Sequence, residues 1–406
     1  MSDVPPVRAD IPADLIHSWD FNRDPDASAC PFKAMSKLHA GPDIFFNTEP
    51  TLNASGQQGG TWVVTRHELQ REIEINFEVF SNRGLSNFSA LLGEDWPMFP
   101  VELDAPEHMK YRAPLNALFS PNKVNVLEES VRALAVELIE AIRGNGECEF
   151  MRDFGRPYPI GVFLRLVDLP TDHVTMFVGW VDGLFRGGTR EIRVAAARGI
   201  KNYLVKVIAD RRAHPGDDLF SVIVNSKIDD KAMSDDVTLG MCYLFFLAGL
   251  DTVAATLSFS FQALAQQPEL QSQLRAEPQI AGDAVEEFLR AFAVVNSRRT
   301  LKCDYEFHGV KMKKGEWVDL PGGLAARDDR EYPDPHVIDF KRKNIRHITF
   351  HAGPHRCIGS HLARREIKIA LEEWTQRMPE FRIKPGEVPT SHVQGVMGVN
   401  YLPLAW

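Results

Sequence analysis

Phe350-His351-Ala352-Gly353-Pro354-His355-Arg356-Cys357-Ile358-Gly359 frames one cysteine with two glycines and two basic residues, and its reading decides the chain. Gly353 and Gly359 permit a tight loop in which backbone amides approach the sulfur and no bulky side chain keeps a flat ligand away. His355 and Arg356 add positive charge, which favours thiolate over thiol and suits both residues to carboxylate partners. The residues that follow, Gly359 to Leu371, read as a helix, so Cys357 stands just ahead of a positive dipole end. A lone cysteine is otherwise most often a buried structural thiol. The ordered pattern around Cys357 favours a metal-binding thiolate instead.

In the order Phe350, Gly353, His355, Cys357 and Gly359, this loop resembles the haem-binding signature of the cytochrome P450 monooxygenases. It departs at His351, where the family usually has Gly or Ser, a change expected to alter loop packing more than chemistry. The resemblance covers nearly the full chain. It is nearest to the bacterial camphor-hydroxylating branch, through Tyr305-Glu306-Phe307-His308-Gly309-Val310 and His361-Leu362-Ala363-Arg364-Arg365-Glu366. It implies a mainly α fold with a small β portion, a single domain over 1–406, and haem b (iron protoporphyrin IX) held by the Cys357 thiolate, with Phe350 beside it.

Composition sets the outer bounds. The 406 residues contain no Pro/Gly/Ser-rich linker, low-complexity run or internal repeat, which favours one large domain. A formal charge of -9 argues against a nucleic-acid protein. The N-terminal Met1 to Asp10 has no apolar leader, so a cytoplasmic protein without a membrane anchor is expected. Cys30, Cys148, Cys242, Cys303 and Cys357 are scattered, odd in number and without C-x-x-C pairs, so no disulfide framework or zinc motif is signalled. Helical periodicity predicts helices over Val126 to Ile142, Arg193 to Arg211, Val237 to Gln267 and His361 to Arg377. Strands are expected at Gly60 to Thr65, at Tyr305 to Val310 with Glu316 to Leu320, and at Gly398 to Leu404.

Within the 237–267 helix, Leu244, Leu247, Ala248, Asp251 and Thr252 fall on one face. A greasy helix thus carries one acid, which has to be paired, solvated or at a site. Gly249 weakens the helix and the Thr252 hydroxyl competes for the carbonyl one turn back, so a local kink is expected. The string Ala248-Gly249-Leu250-Asp251-Thr252 looks like the family's acid and alcohol pair. By that resemblance Ala248 and Gly249 leave a groove for dioxygen, Thr252 hydrogen-bonds it, and Asp251 feeds a proton relay, with Arg186 as a possible salt-bridge partner.

Glu287 and Arg290 lie three apart on a helix face, a weak signal alone. The resemblance assigns them, with Arg342, to a buried network supporting the haem core. It also makes His108, Arg112, Arg299 and His355 partners of the haem propionates, with Ser297 standing where near relatives carry an acid. The expected pocket wall is Phe88, Trp96, Val101, Leu244, Leu247, Val295, Gly395 and Val396, with Trp96 in place of the phenol that anchors camphor. An apolar wall selects by shape, which points to a compact terpenoid or norisoprenoid ketone. No G-x-G-x-x-G fingerprint or reductase module is present, so electrons are expected from separate proteins, which the resemblance implies are a two-iron two-sulfur ferredoxin and its NADH-dependent reductase. Lys110, Arg112, Lys341, Lys343, Arg346, Arg356, Arg364 and Arg365 offer a basic face for an acidic ferredoxin. A peroxide-driven haem-thiolate enzyme and a non-enzymatic haem sensor or binding protein remain the alternatives.

Overall fold

The computed structural model describes residues 8–21, 24–27, 30–52, 58–84, 88–393 and 395–406. Its first long helix, Pro121–Arg143, opens on a proline at the start of the first turn and ends at Gly144. Val124, Val131, Leu134, Ala135, Ile139 and Ile142 are its buried face, spaced as an amphipathic helix requires. That face packs toward Ser360–Arg377, the helix that follows Cys357. Arg132 fastens the two, donating to Glu373 at 2.5 Å and Glu372 at 2.9 Å.

The predicted 237–267 helix forms as two, Asp235–Leu250 and Thr252–Gln266, broken at Asp251 (φ -104°, ψ -32°). Ser234 caps the first through a bond from the Val237 N–H, and Asp235 and Asp236 complement its dipole. Residues 235–266 are long and apolar enough to cross a membrane, with a mean hydropathy of 1.7 over an 18-residue window. That window is 72% buried inside the protein, as befits a central core helix.

The β portion is a six-stranded sheet in the order Ile16–His17, Ile44–Leu52, Gln58–Val64, Trp317–Pro321, Asn296–Leu301, Phe80–Ser81, with smaller ribbons around it. Two expectations are corrected here. The 305–310 stretch is not one strand beside 316–320. Tyr305–Phe307 turns back on Val310–Met312 through His308 and Gly309, both at positive φ, a two-residue turn whose twist suits a hairpin. Trp317–Pro321 instead pairs with Asn296–Leu301 and Gln58–Val64. The C-terminal 398–404 strand is likewise two: Met397–Tyr401 pairs with Thr390–Val393, and Pro403–Ala405 lies between Arg382–Ile383 and Glu147–Glu149. Two hydrophobic clusters result, a large one among the helices and a smaller one against the sheet.

A buried ionic knot joins the helical core to the segment leading toward Cys357. Glu287 and Arg290, on Ala281–Ala291, are fully buried. Arg290 grips Glu287 with two bonds of 2.6 and 3.0 Å, and Arg342 adds bonds to the same carboxylate at 3.1 and 3.2 Å. The spare guanidinium hydrogens reach the carbonyls of Pro333, Pro335 and Val337. Removing one partner strands the remaining charges in a dry interior. Glu287→Ala is therefore expected to lose about 3–5 kcal/mol of stability in denaturant unfolding. A loss under about 1 kcal/mol, the range of exposed pairs, would contradict the knot's role.

Candidate active site

The helix break sets Asp251 and Thr252 apart from the regular ladder. Thr252 Oγ1 donates to the Ala248 carbonyl at 3.1 Å, the competition that the sequence predicts. Asp251 is 2% exposed and accepts from Arg186 Nη2 at 2.6 Å, while Arg186 Nη1 reaches Asp182 at 3.1 Å. The chain Asp182, Arg186, Asp251 leads from a partly exposed carboxylate to a buried one. Gly249 has a packing reason: a Cβ there would come within 2.8 Å of the Phe163 ring, so that side of the expected groove is filled.

Thr252 and Cys357 line the same cavity, about 200 Å³, with Ala248, Gly249, Val295 and Phe350. The loop holds its sulfur as a helix entrance would: the Cys357 N–H donates to the Phe350 carbonyl at 2.8 Å, and the Gly359 N–H favours the thiolate. Although the side chain is open to the cavity, desolvation by the surrounding loop shifts the thiol upward, with Gly359, Arg112, Arg364 and Arg356 only partly offsetting it. A coordinating metal would remove the proton outright. His351, at φ +58°, places Nδ1 2.5 Å from Glu74, whose other oxygen takes the Ala352 N–H at 2.7 Å. The family departure at this position therefore ties the loop to the helix His67–Ile75.

Four cationic or donor groups converge beside this loop. His108 and His355 lie against each other with ring centroids 4.3 Å apart and planes tilted by 49°, and His108 Nδ1 is buried without a hydrogen-bond partner. Burial, then Arg112, pulls His108 down to about 4; burial, then His108, Arg299 and Arg112, pulls His355 to about 3. His355 is thus neutral at pH 7, and the expected positive charge from it beside Cys357 is absent. Burial also lowers Arg299, which is 5% exposed, and Arg112, which reaches the carbonyls of Pro354 and Arg356. Among the described residues none of the four forms an ion pair with a carboxylate. Ser297, nearby in sequence, keeps a buried hydroxyl without a partner. A dianionic, flat cofactor fits this donor set, and the propionates of a haem would supply the charge the two arginines lack.

The expected pocket wall is only partly assembled around Cys357. Val295 lines the cavity and bridges Val396, and the Asn296 N–H donates to the Gly395 carbonyl at 2.8 Å. Phe88, Val101, Leu244 and Leu247 pack against the main core, Phe88 edge-on to Phe185. Trp96 is 4% exposed against Tyr243, and its indole N–H is taken by Glu94 at 2.6 Å, which Lys201 holds at 2.5 Å. Phe119, Phe163 and Phe245, which the sequence reading did not single out, line the cavity, as does Glu366. Glu366 is buried, and burial pushes its carboxyl well up.

A family model for Cytochrome P450 matches residues 171–398. The "Probable cytochrome P450 127A1" of Sinorhizobium fredii is 38% identical, covering 99% of this chain and 97% of its own length. The "Steroid C26-monooxygenase" of Mycolicibacterium smegmatis is 31% identical over 86% of this chain and 88% of its own. Among solved structures, CYP101C1 superposes with a TM-score of 0.88 at 32% identity, covering 98% of this chain and 99% of that one. CYP101J2 does so with 0.85 at 33%, covering 98% of each.

The chain belongs to the cytochrome P450 family.

The fold is the P450 fold, the cofactor is thiolate-ligated haem b, and the likeness to the bacterial camphor-like branch agrees with the two CYP101 structures. On this P450 the basic face is smaller than its residue count. Lys110 pairs with Asp229, Arg364 with Glu286, Arg365 with Glu128, Arg346 with Glu331 and Lys341 with Glu277. Lys343 and Arg356 carry no ion pair among the described residues.

The imidazoles make the apoprotein acid-sensitive. His108 and His355 bind protons less readily folded than in the unfolded chain, where the ordinary value is about 6.5. Their contribution is whole above that value and is lost as pH falls from about 6.5 toward 4 and 3. Thermal unfolding of the haem-free protein is expected to show this loss between pH 7 and about 4.5, less steeply with haem bound and less in a His108→Gln/His355→Gln variant. An unchanged pH slope in that variant would refute the assignment.

Proposed function

We propose that this P450 inserts one oxygen atom from O2 into a compact hydrophobic molecule, of the terpenoid or norisoprenoid ketone class, using two electrons from a two-iron two-sulfur ferredoxin reduced by an NADH-dependent reductase. We place it in the cytoplasm and treat 1–406 as one functional unit. The observation that carries the reading is the shared cavity of Thr252 and Cys357, with the Asp251–Arg186 pair behind it. Thiolate-ligated haem, when bound, supplies the redox chemistry that divides dioxygen between product and water.

The chain's own residues supply position and protons. His108, Arg112, Arg299 and His355 would hold the propionates, and Phe350 and Gly249 would border the ring. Glu287, Arg290 and Arg342 would keep the supporting core rigid. Arg186 would gate the relay by pairing with Asp251, which would carry a proton once the pair opens. Thr252 would orient that proton with its hydroxyl. The substrate would be held by shape against Phe88, Trp96, Val101, Leu244, Leu247, Val295, Gly395 and Val396. With the Trp96 N–H engaged by Glu94, that residue offers no donor to a ketone. Lys343, Arg356 and Arg112 would remain to steer an acidic ferredoxin.

With ferredoxin, reductase and a substrate selected by its haem spin-state change, Asp251→Asn is expected to slow kcat by about 10²-fold, the usual contribution of a positioned proton donor. Thr252→Ala is expected to keep consuming NADH while product per NADH falls. Full coupling in Thr252→Ala, or equal turnover with hydrogen peroxide alone, would favour the peroxide-driven reading. Absence of product from every bound ligand would favour a sensor.

A further inference from the structure

Away from the haem slot, a surface cavity of about 520 Å³ opens beside the sheet, lined among others by His67, Glu68, Glu331, Asp43, Arg66 and Asp328. His67 is the first residue of its helix, with a side chain only 2% exposed. Its Nε2 lies 3.0 Å from the Arg346 carbonyl, so in the neutral ring Nε2 bears the proton and Nδ1 the lone pair. That Nδ1 is buried and has no hydrogen-bond partner. It faces Glu68 Oε1 at 3.6 Å, and one ring nitrogen of His67, one oxygen of Glu68 and one oxygen of Glu331 all lie within 4.8 Å of one another. Three acceptors thus converge where a donor or cation is needed.

Two of the surrounding cations are committed elsewhere, and two touch the carboxylates from outside. Arg66 serves Asp43, Asp328 and Asp329, and Arg330 serves Asp43. Arg71 stands 3.7 Å from Glu68, and Arg346 touches Glu331 from the exposed side at 3.1 Å. Each carboxylate keeps lone pairs beyond those contacts.

We propose that His67, Glu68 and Glu331 bind one late first-row divalent cation, with Zn²⁺ as the representative ion. Ligands about 2.1 Å from a tetrahedral centre stand about 3.4 Å apart, close to the 3.6 Å between His67 and Glu68. An imidazole nitrogen with two carboxylates suits Zn²⁺ and its neighbours and disfavours the all-oxygen ions Ca²⁺ and Mg²⁺. The Arg346 carbonyl orients the imidazole as outer-shell acceptors do at known metal histidines. The open cavity leaves the remaining position to water. Such an ion would clip residue 331 to the start of a helix whose far end holds His351 and Ala352 through Glu74. It would therefore brace the lead-in to Cys357 without entering the reaction.

The test uses haem-loaded protein, so that iron caps Cys357. Equilibrium dialysis against Zn²⁺, with metal analysis, is expected to give one Zn²⁺ per chain and a Tm that rises to saturation, with no such effect from Mg²⁺. Glu68→Gln, at a position 60% exposed and safe for folding, and Glu331→Gln are each expected to weaken Kd at least about tenfold. Failure to retain Zn²⁺, leaving a protonated His67 as the cation between the two carboxylates, would overturn the proposal. So would a Kd unchanged in both variants.

Discussion

Burial of charge without water is the constraint that organises this P450, because each buried ion needs a partner close by. Asp251 has Arg186, Glu287 has Arg290 and Arg342, and Glu74 has His351. Around the Cys357 loop Arg112 and Arg299 gather beside the neutral imidazoles of His108 and His355, and among the described residues neither arginine forms an ion pair with a carboxylate. We propose that the haem propionates bring the anions for these two arginines, so that cofactor binding would also close the electrostatics of the fold.

The same constraint explains why the cysteine needs its iron. The Cys357 side chain opens onto the cavity, desolvation still shifts its thiol upward against three arginines and the Gly359 N–H, and a bound metal would favour the thiolate. The loop is positioned from two sides. Ser360–Arg377 anchors it to the helical core through Arg132, and His67–Ile75 grips its lead-in through Glu74. Opposite it, the broken helix leaves Thr252 bordering the same cavity.

Local spacing made much of this legible beforehand. The Cys357 loop, the Glu287/Arg290 spacing and the kink at Asp251 all lie within a few residues of chain, where periodicity and loop chemistry speak directly. Long-range partners were not legible. Glu74 is 277 residues from His351, and Glu286 and Glu128 pair with arginines 78 and 237 residues away. His355 looked like a charge beside the cysteine, yet burial neutralises it. Trp96 and Glu94 are two residues apart, but that the indole N–H turns to Glu94 depends on packing against Tyr243. The 305–312 hairpin carried a signal, His308-Gly309, that reading one continuous strand passed over.

All of this rests on thiolate ligation by Cys357. The direct measurement is the carbon-monoxide difference spectrum of the reduced, haem-loaded protein, beside Cys357→Ala. The account predicts a Soret band shifted far to the red in the unmodified chain and lost in the variant. A folded, haem-loaded protein without that shift, or a variant that keeps it, would contradict the assignment of Cys357 as the iron ligand.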